Sequence, residues 1–161
     1  MRKMNYLLVD WKIRAYQRSD VREIMQLFWD TVHTVNRADY SEQQLDAWAP
    51  KTMAVKQWEN LLAVHHSIVV EYNGTIIGFG DIILTGYLDR LYVHKDYQRM
   101  GVGTAIADRL EQYAADCRIP VVTTDASITA KPFFEKRGYR TVREQTVIRC
   151  GQALKNYRME L

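Results

Sequence analysis

Polar and apolar positions alternate from Lys12 to Tyr16, which is the period of a strand. The period then lengthens, and Val21, Ile24, Met25, Phe28, Val32 and Val35 fall three or four residues apart on one face of a helix, with Ser19 and Asp20 ahead of it offering capping oxygens. Ser41 and Gln44 make a capping box before Leu45 and Trp48, Pro50 ends that short helix, and Thr52 is placed to cap another running to about Val64. From Ser67 the period shortens again. Ser67 to Tyr72 is apolar and β-branched, Asn73-Gly74 signals a tight hairpin, and Thr75 to Leu84 returns with Gly78 and Gly80 as expected bulge points. After the turn Thr85-Gly86, Tyr87 to Val93 reads as the third strand of an antiparallel meander.

The second half begins with a strand running into a glycine-bearing loop, Gln98 to Thr104, which opens a helical stripe of Ala105, Ile106, Leu110, Tyr113, Ala114 and Cys117. Pro120 stops that helix, Val121 to Thr124 reads as a short buried strand, and Ser127 to Arg137 as a helix that tolerates Pro132 in its first turn. Gly138 fits a helix C-cap, and the tail from Tyr139 to Leu161 reads as two strands joined by a turn at Cys150-Gly151-Gln152-Ala153.

Composition bounds this picture without choosing a function. With 161 residues, 47% hydrophobic and 25% charged, and no repeat or linker, residues 1–161 read as a single domain able to bury a core. A formal charge of +3 lacks the clustered basic footprint of a nucleic-acid binder, so no nucleic-acid partner is expected. The apolar run Tyr6 to Val9 is broken by Asp10, too short for a signal peptide or membrane span, so a cytoplasmic protein with no membrane partner is expected. Cys117 and Cys150 read as reduced core thiols. His33, His65, His66 and His94 show no metal-binding spacing, so no metal is expected.

The loop is the most informative feature. A strand that turns through small residues into a helix N-terminus presents unpaired N–H groups and the positive end of the helix dipole, an anion site. Gly101 and Gly103 remove side chains that would block a phosphate, and Arg99 adds a charge able to bond its oxygens in pairs. Three readings compete. A P-loop lacks its GK[ST]. A dinucleotide fingerprint finds Gly101-Val102-Gly103 and an acid at Asp125 but meets Ile106 where the third glycine belongs. The third reading is coenzyme A.

Gln98-Arg99-Met100-Gly101-Val102-Gly103-Thr104-Ala105 resembles the Q/R-x-x-G-x-G/A motif of the GNAT N-acetyltransferase superfamily, and Ala130 to Tyr139 resembles that family's A-x-x-L/F-Y-E-K-x-G-F segment. The order of elements matches over essentially the whole chain. The resemblance implies an α/β (mixed α+β) fold, with a mostly antiparallel twisted sheet flanked by helices. Its fourth strand, Tyr87 to Val93, would splay from the fifth, Val121 to Asp125, and acetyl-CoA would lie between them as cosubstrate. Backbone groups of Leu91, Tyr92 and Val93 would meet its pantetheine arm, and the N–H groups of Arg99, Met100, Gly101, Val102, Gly103 and Thr104, following Gln98, its pyrophosphate.

The family's chemistry needs a base for the amine, a donor for the developing oxyanion and an acid for the leaving thiolate. The resemblance makes the Val93 N–H the expected oxyanion donor. Asp89 is the favoured base, with Glu71 and His33 as rivals, because alternation places it on one face with Tyr87, Leu91 and Val93. The family's glutamate falls two residues earlier, at Tyr87, and a salt bridge is an equal claim on Asp89. Where the family places its acid tyrosine this chain has Phe134, which leaves Tyr92, Tyr97, Tyr139, a water or no dedicated acid for that role and gives Phe134 to packing in the core or against the pantetheine arm of the coenzyme. Ser127 stands where the family often has an asparagine and keeps a hydrogen-bonding group there.

The acceptor, a small-molecule or peptide amine, would meet His33, Asn36, Asp39, Tyr40, Asp46 and Trp48. The reading is an acetyl-CoA-dependent N-acetyltransferase. Its alternative is a non-catalytic module that binds acyl-CoA. A homodimer is left open.

Overall fold

The structure, a computed structural model, describes residues 10–161; the apolar run Tyr6–Val9 lies outside the described residues. Strand β1 (Lys12–Ala15) leads through a 3-10 turn into α1 (Val21–Thr34), then α2 (Glu42–Trp48) and α3 (Val55–Val64). The meander follows as β2 (His66–Tyr72), β3 (Thr75–Ile82) and β4 (Tyr87–Val93). Helix α4 (Val102–Asp116), β5 (Thr123–Ser127), α5 (Lys131–Lys136), β6 (Arg140–Arg149) and β7 (Gln152–Glu160) complete the chain. All seven strands join one sheet in the order β1-β2-β3-β4-β5-β7-β6. Only β4 and β5 run parallel, so this is the mixed, mostly antiparallel sheet that the family resemblance implies.

Each face of the sheet buries its own cluster, since side chains alternate along a strand. Ile68 and Val70 meet Val102, Ile106 and Leu110 of α4 on one side, whereas Val69 and Phe79 meet Ile24, Phe28 and Val32 of α1 with Leu45 and Leu62 on the other. The two-residue turns behave as their sequences require. Asn73-Gly74 and Cys150-Gly151 have φ of 50° and 79°, and 46° and 79°, the doubly positive pattern whose twist matches paired strands. Ser41 and Gln44 form their reciprocal cap at 3.2 and 2.8 Å.

Several local expectations are corrected. Helix α3 starts after Ala54, with no side-chain cap from Thr52. The Asp20 carboxylate does not cap α1 but accepts from the Gln17 N–H and from Arg14, all within 3.0 Å. Strand β5 begins at Thr123, because pairing with β7 starts there, and it claims Ser127, which shortens α5. Both cysteines are exposed rather than core, Cys117 at the end of α4 and Cys150 in the last hairpin turn. No helix among the described residues is long and apolar enough to cross a membrane.

Gly78 and Gly80 are not the bulges. A Cβ on Gly80 would stand 2.7 Å from Ile106, and one on Gly78 would stand 2.8 Å from Val102, so these glycines let α4 press onto the sheet. The bulges fall beside them. Val70 pairs with Gly78 but Glu71 with Ile76, leaving Ile77 over; Asp81 pairs with Arg90 but Ile82 with Leu88, leaving Asp89 over. An extra residue bends its strand and turns the alternation over. The strands β4 and β5 share only the pairs Tyr87–Thr123 and Leu88–Thr124, and they part at this bulge, as the splayed pair was expected to do.

Candidate active site

The parting strands open a cleft of about 400 Å³ whose floor is β4 and β5 and whose mouth is the loop before α4. Local sequence explains that mouth. Gly101 takes φ +87° and Arg99 φ +60°, turning the chain sharply into the helix. Among the described residues no backbone N–H from Gln98 to Thr104 has a backbone acceptor; the first bond of the helix is Ala105 N–H to Gly101 O at 3.0 Å. These unpaired donors and the helix dipole together attract anions. The two glycines do different work: Gly101 needs the left-handed conformation, whereas Gly103 is helical and faces the cleft, where a Cβ would have only ordinary contacts of 3.5 Å with Phe133 and Val93.

Gln98 fixes the loop by donating to the Val93 carbonyl at 2.7 Å, and Thr31 of α1 donates to the same oxygen at 2.9 Å. The next N–H, that of His94, bonds back to Ile77 on β3 at 2.8 Å. Successive N–H groups of a strand point opposite ways, so the Val93 N–H points into the cleft. Leu91, Tyr92, Val93, Gln98, Arg99, Gly101, Gly103, Thr104, Ser127 and Phe134 all line it. Met100 and Val102 do not, because their side chains turn into the core and leave only backbone to the loop. Phe134 is 3% exposed, wedged between Phe133 and Tyr139. The Ser127 hydroxyl accepts the Ala130 N–H at 3.0 Å, so it caps the turn into α5 while still facing the cleft.

A second cavity of about 120 Å³ lies against the first. Trp48, Asp89, Tyr92, Asp125 and Ser127 line both, so the two meet at those residues. Tyr40 also lines the second cavity, its hydroxyl donating to Lys155 O at 2.6 Å and accepting from Ile128 N–H at 2.9 Å. His33 lines neither; it stacks on Trp29, and its Nε2 lies 2.8 Å from Ala49 O. Glu71 is equally remote, paired with Arg14 at 2.9 Å.

The bulge aims Asp89. Alternation had put it with Leu91 and Val93, but those two pack with Leu88 toward α4, while Asp89 lines the second cavity with Tyr87. Burial pushes its carboxyl up from the ordinary value, against the opposing pull of Arg90. Behind it stands a network that strand spacing did not reveal. The Arg90 guanidinium lies 3.1 Å from Asp89 and donates at 2.8 Å to Asp81, which is fully buried. His65 Nδ1 reaches the same Asp81 oxygen at 2.8 Å and lies 3.9 Å from Asp89. His65, Asp81 and Asp89 bring three ligand atoms within 4.8 Å of one another, yet Arg90 already supplies the positive charge at both carboxylates.

Of the tyrosines considered as acids, only Tyr92 reaches the junction of the cavities. Tyr139 donates to Glu111 at 2.8 Å beneath Phe134, and Tyr97 packs on His94 and Tyr72. Tyr92 stacks on Phe79 and meets Phe28 edge-on, and burial pushes its hydroxyl far up, so it stays protonated at neutral pH. Asp125, noticed in the sequence only as a possible ribose ligand, is fully engaged. It accepts from Tyr87 at 2.9 Å and Gln145 at 2.7 Å and pairs with Arg158 at 3.0 Å.

Comparison with known proteins agrees with this architecture. The sequence model of the acetyltransferase (GNAT) domain matches residues 36–161. The uncharacterized N-acetyltransferase YafP of Escherichia coli strain K12 is 35% identical over 148 residues, spanning 92% of this chain and 93% of its own. A crystal structure of a GCN5-related N-acetyltransferase from Rhodopseudomonas palustris superposes with a TM-score of 0.90 at 32% identity, covering 92% of this chain and 93% of that one. The acetyltransferase yncA of Salmonella typhimurium, solved with acetyl-CoA, shares the fold at a TM-score of 0.73 and 17% identity over 94% of this chain and 93% of that one.

Proposed function

The chain belongs to the GNAT acetyltransferase family, and on that premise we propose that it moves the acetyl group of acetyl-CoA directly onto a primary amine, with residues 1–161 acting as one catalytic domain. The observation that carries this reading is the join between the two cavities. A cleft ending on unpaired N–H groups meets, at Asp89 and Tyr92, a second chamber.

Acetyl-CoA, when bound, supplies an activated thioester. The N–H groups from Arg99 to Thr104 and the Arg99 side chain hold the pyrophosphate, and the parted edge of β4 from Leu91 to Val93 takes the pantetheine arm. As the amine nitrogen bonds to the carbonyl carbon and the carbon–sulfur bond breaks, three groups of this chain act. The Val93 N–H holds the carbonyl oxygen as it gains charge. Asp89 takes the proton the amine sheds, directly or through one water, and its raised affinity for protons suits that task. Tyr92 gives its proton to the departing sulfur, the role that Phe134 cannot fill. Proton gain and loss then balance within the site. Trp48 and Tyr40 wall the amine chamber.

The test is thermal melting and thiol release. Acetyl-CoA raises Tm and NAD leaves it unchanged, and a broad panel of amines releases free thiol with at least one member. No shift with acetyl-CoA refutes the cosubstrate. A shift without turnover on any amine favours a non-catalytic acyl-CoA-binding module.

A further inference from the structure

The second cavity carries an imbalance of charge. Asp89 has Arg90 at 3.1 Å, Asp125 has Arg158 at 3.0 Å, and Lys155 has Glu144 at 3.7 Å. Arg149 lines the same cavity, and among the described residues no carboxylate lies within ion-pairing distance of it. It is the last residue of β6, held opposite Gln152 by the tight turn at Cys150-Gly151, so its place on the wall is set by the hairpin. Its charge is felt at both Asp89 and Tyr92. Asn156 also lines the cavity, and its Oδ1 is buried with no donor among the described residues. A buried acceptor without a partner is unfavourable, which a ligand N–H would relieve.

We propose that the acceptor is a compact amine that also bears an acidic group, a carboxylate or a phosphate, with Arg149 binding the acid and Asp89 and Asn156 facing the amine. This rests on the second cavity being the acceptor chamber. A guanidinium matches either anion through paired hydrogen bonds. The chamber's 120 Å³ is below the roughly 300–1,000 Å³ of pockets for drug-sized molecules, which suits a compact amine. The tyrosines and Trp48 around it accommodate an apolar portion.

The experiment compares matched amines in the thiol-release assay: L-amino acids against their amides for the carboxylate, and phosphoethanolamine against ethanolamine for the phosphate. The acidic member of one pair has the lower KM, by about tenfold or more, an advantage that shrinks as salt is raised. Arg149→Ala raises KM for that acid by a similar factor and by far more than for its neutral partner, and Arg149→Lys recovers part of the loss. Equal KM within both pairs, or equal damage to acid and amide in Arg149→Ala, overturns the proposal. Calorimetry with N-acetyl amino acids and N-acetyl amino acid amides reads the same contrast without turnover. If acetyl-CoA fails to bind yet the acid still binds through Arg149, the transferase reading falls and the anion site stands.

Discussion

The two cavities are neighbours made in opposite ways. The mouth of the larger is one stretch of chain, Gln98 to Thr104, whose residues are adjacent in sequence and whose chemistry is mostly backbone. The smaller draws Tyr40, Trp48, Asp89, Asp125, Arg149 and Asn156 from six places along the chain. A local site of N–H groups suits a ligand that never changes, because turn geometry alone makes it. A chamber of scattered side chains can be altered one residue at a time without disturbing the loop. The same sheet thus holds one site built from backbone and one built from side chains.

Substitutions can separate the two halves. The largest effect belongs to Gly103→Val. Space for a Cβ exists beside Phe133 and Val93, so the chain folds, but the added methyl groups fill the phosphate path. The acetyl-CoA melting shift disappears; a shift kept at full size would mean that the loop is only a turn. Asp89→Asn acts on the other half. It lowers kcat/KM by about 10²–10⁴, the usual worth of a general acid or base, while acetyl-CoA affinity stays unchanged. In the wild-type enzyme kcat/KM rises with pH as Asp89 gives up its proton, and its raised value carries that rise above the range of an ordinary carboxylate. The rise disappears in Asp89→Asn; if it persists, the base lies elsewhere.

The smallest effect tests the network behind Asp89. The bond to Asp81 raises the His65 pKa above the ordinary histidine value of about 6.5, so protonated His65 is favoured in the folded chain. That stabilisation is complete below this ordinary value and fades as pH climbs through the raised one. His65→Gln therefore lowers Tm most at about pH 6 and less by pH 8. The difference is on the order of 1 kcal/mol, or about 2–4 °C for a chain of this size. A deficit independent of pH would place the role of His65 in packing, with Asp81, Arg90 and Asp89 unaffected by its charge.

Legibility followed the same division. Hairpin turns, the capping box, the glycine loop and the order of elements depend on neighbours in sequence, and they could be read from it. Gly78 and Gly80 read from the sequence as bulge points, since nothing nearby says that a helix more than twenty residues later will press on them. His33 drew attention as a polar residue on a helix near the site, yet it faces Trp29 and Ala49. The network of His65, Asp81 and Arg90 went unseen because its members lie on three separate segments and none belongs to a motif.

The amino-acid sequence by itself determined the strand–helix order, the tight turns and the anion-binding loop, because these depend on contacts a few residues apart: hydrophobic period, backbone conformational preference and capping. Only the tertiary structure decided where Asp89 points, which tyrosine stands at the junction and that Arg149 is left over among paired charges. A single bulged residue reverses the side-chain alternation of a strand, and whether a charge is paired depends on partners brought close by folding. Neither is a property of the neighbouring sequence.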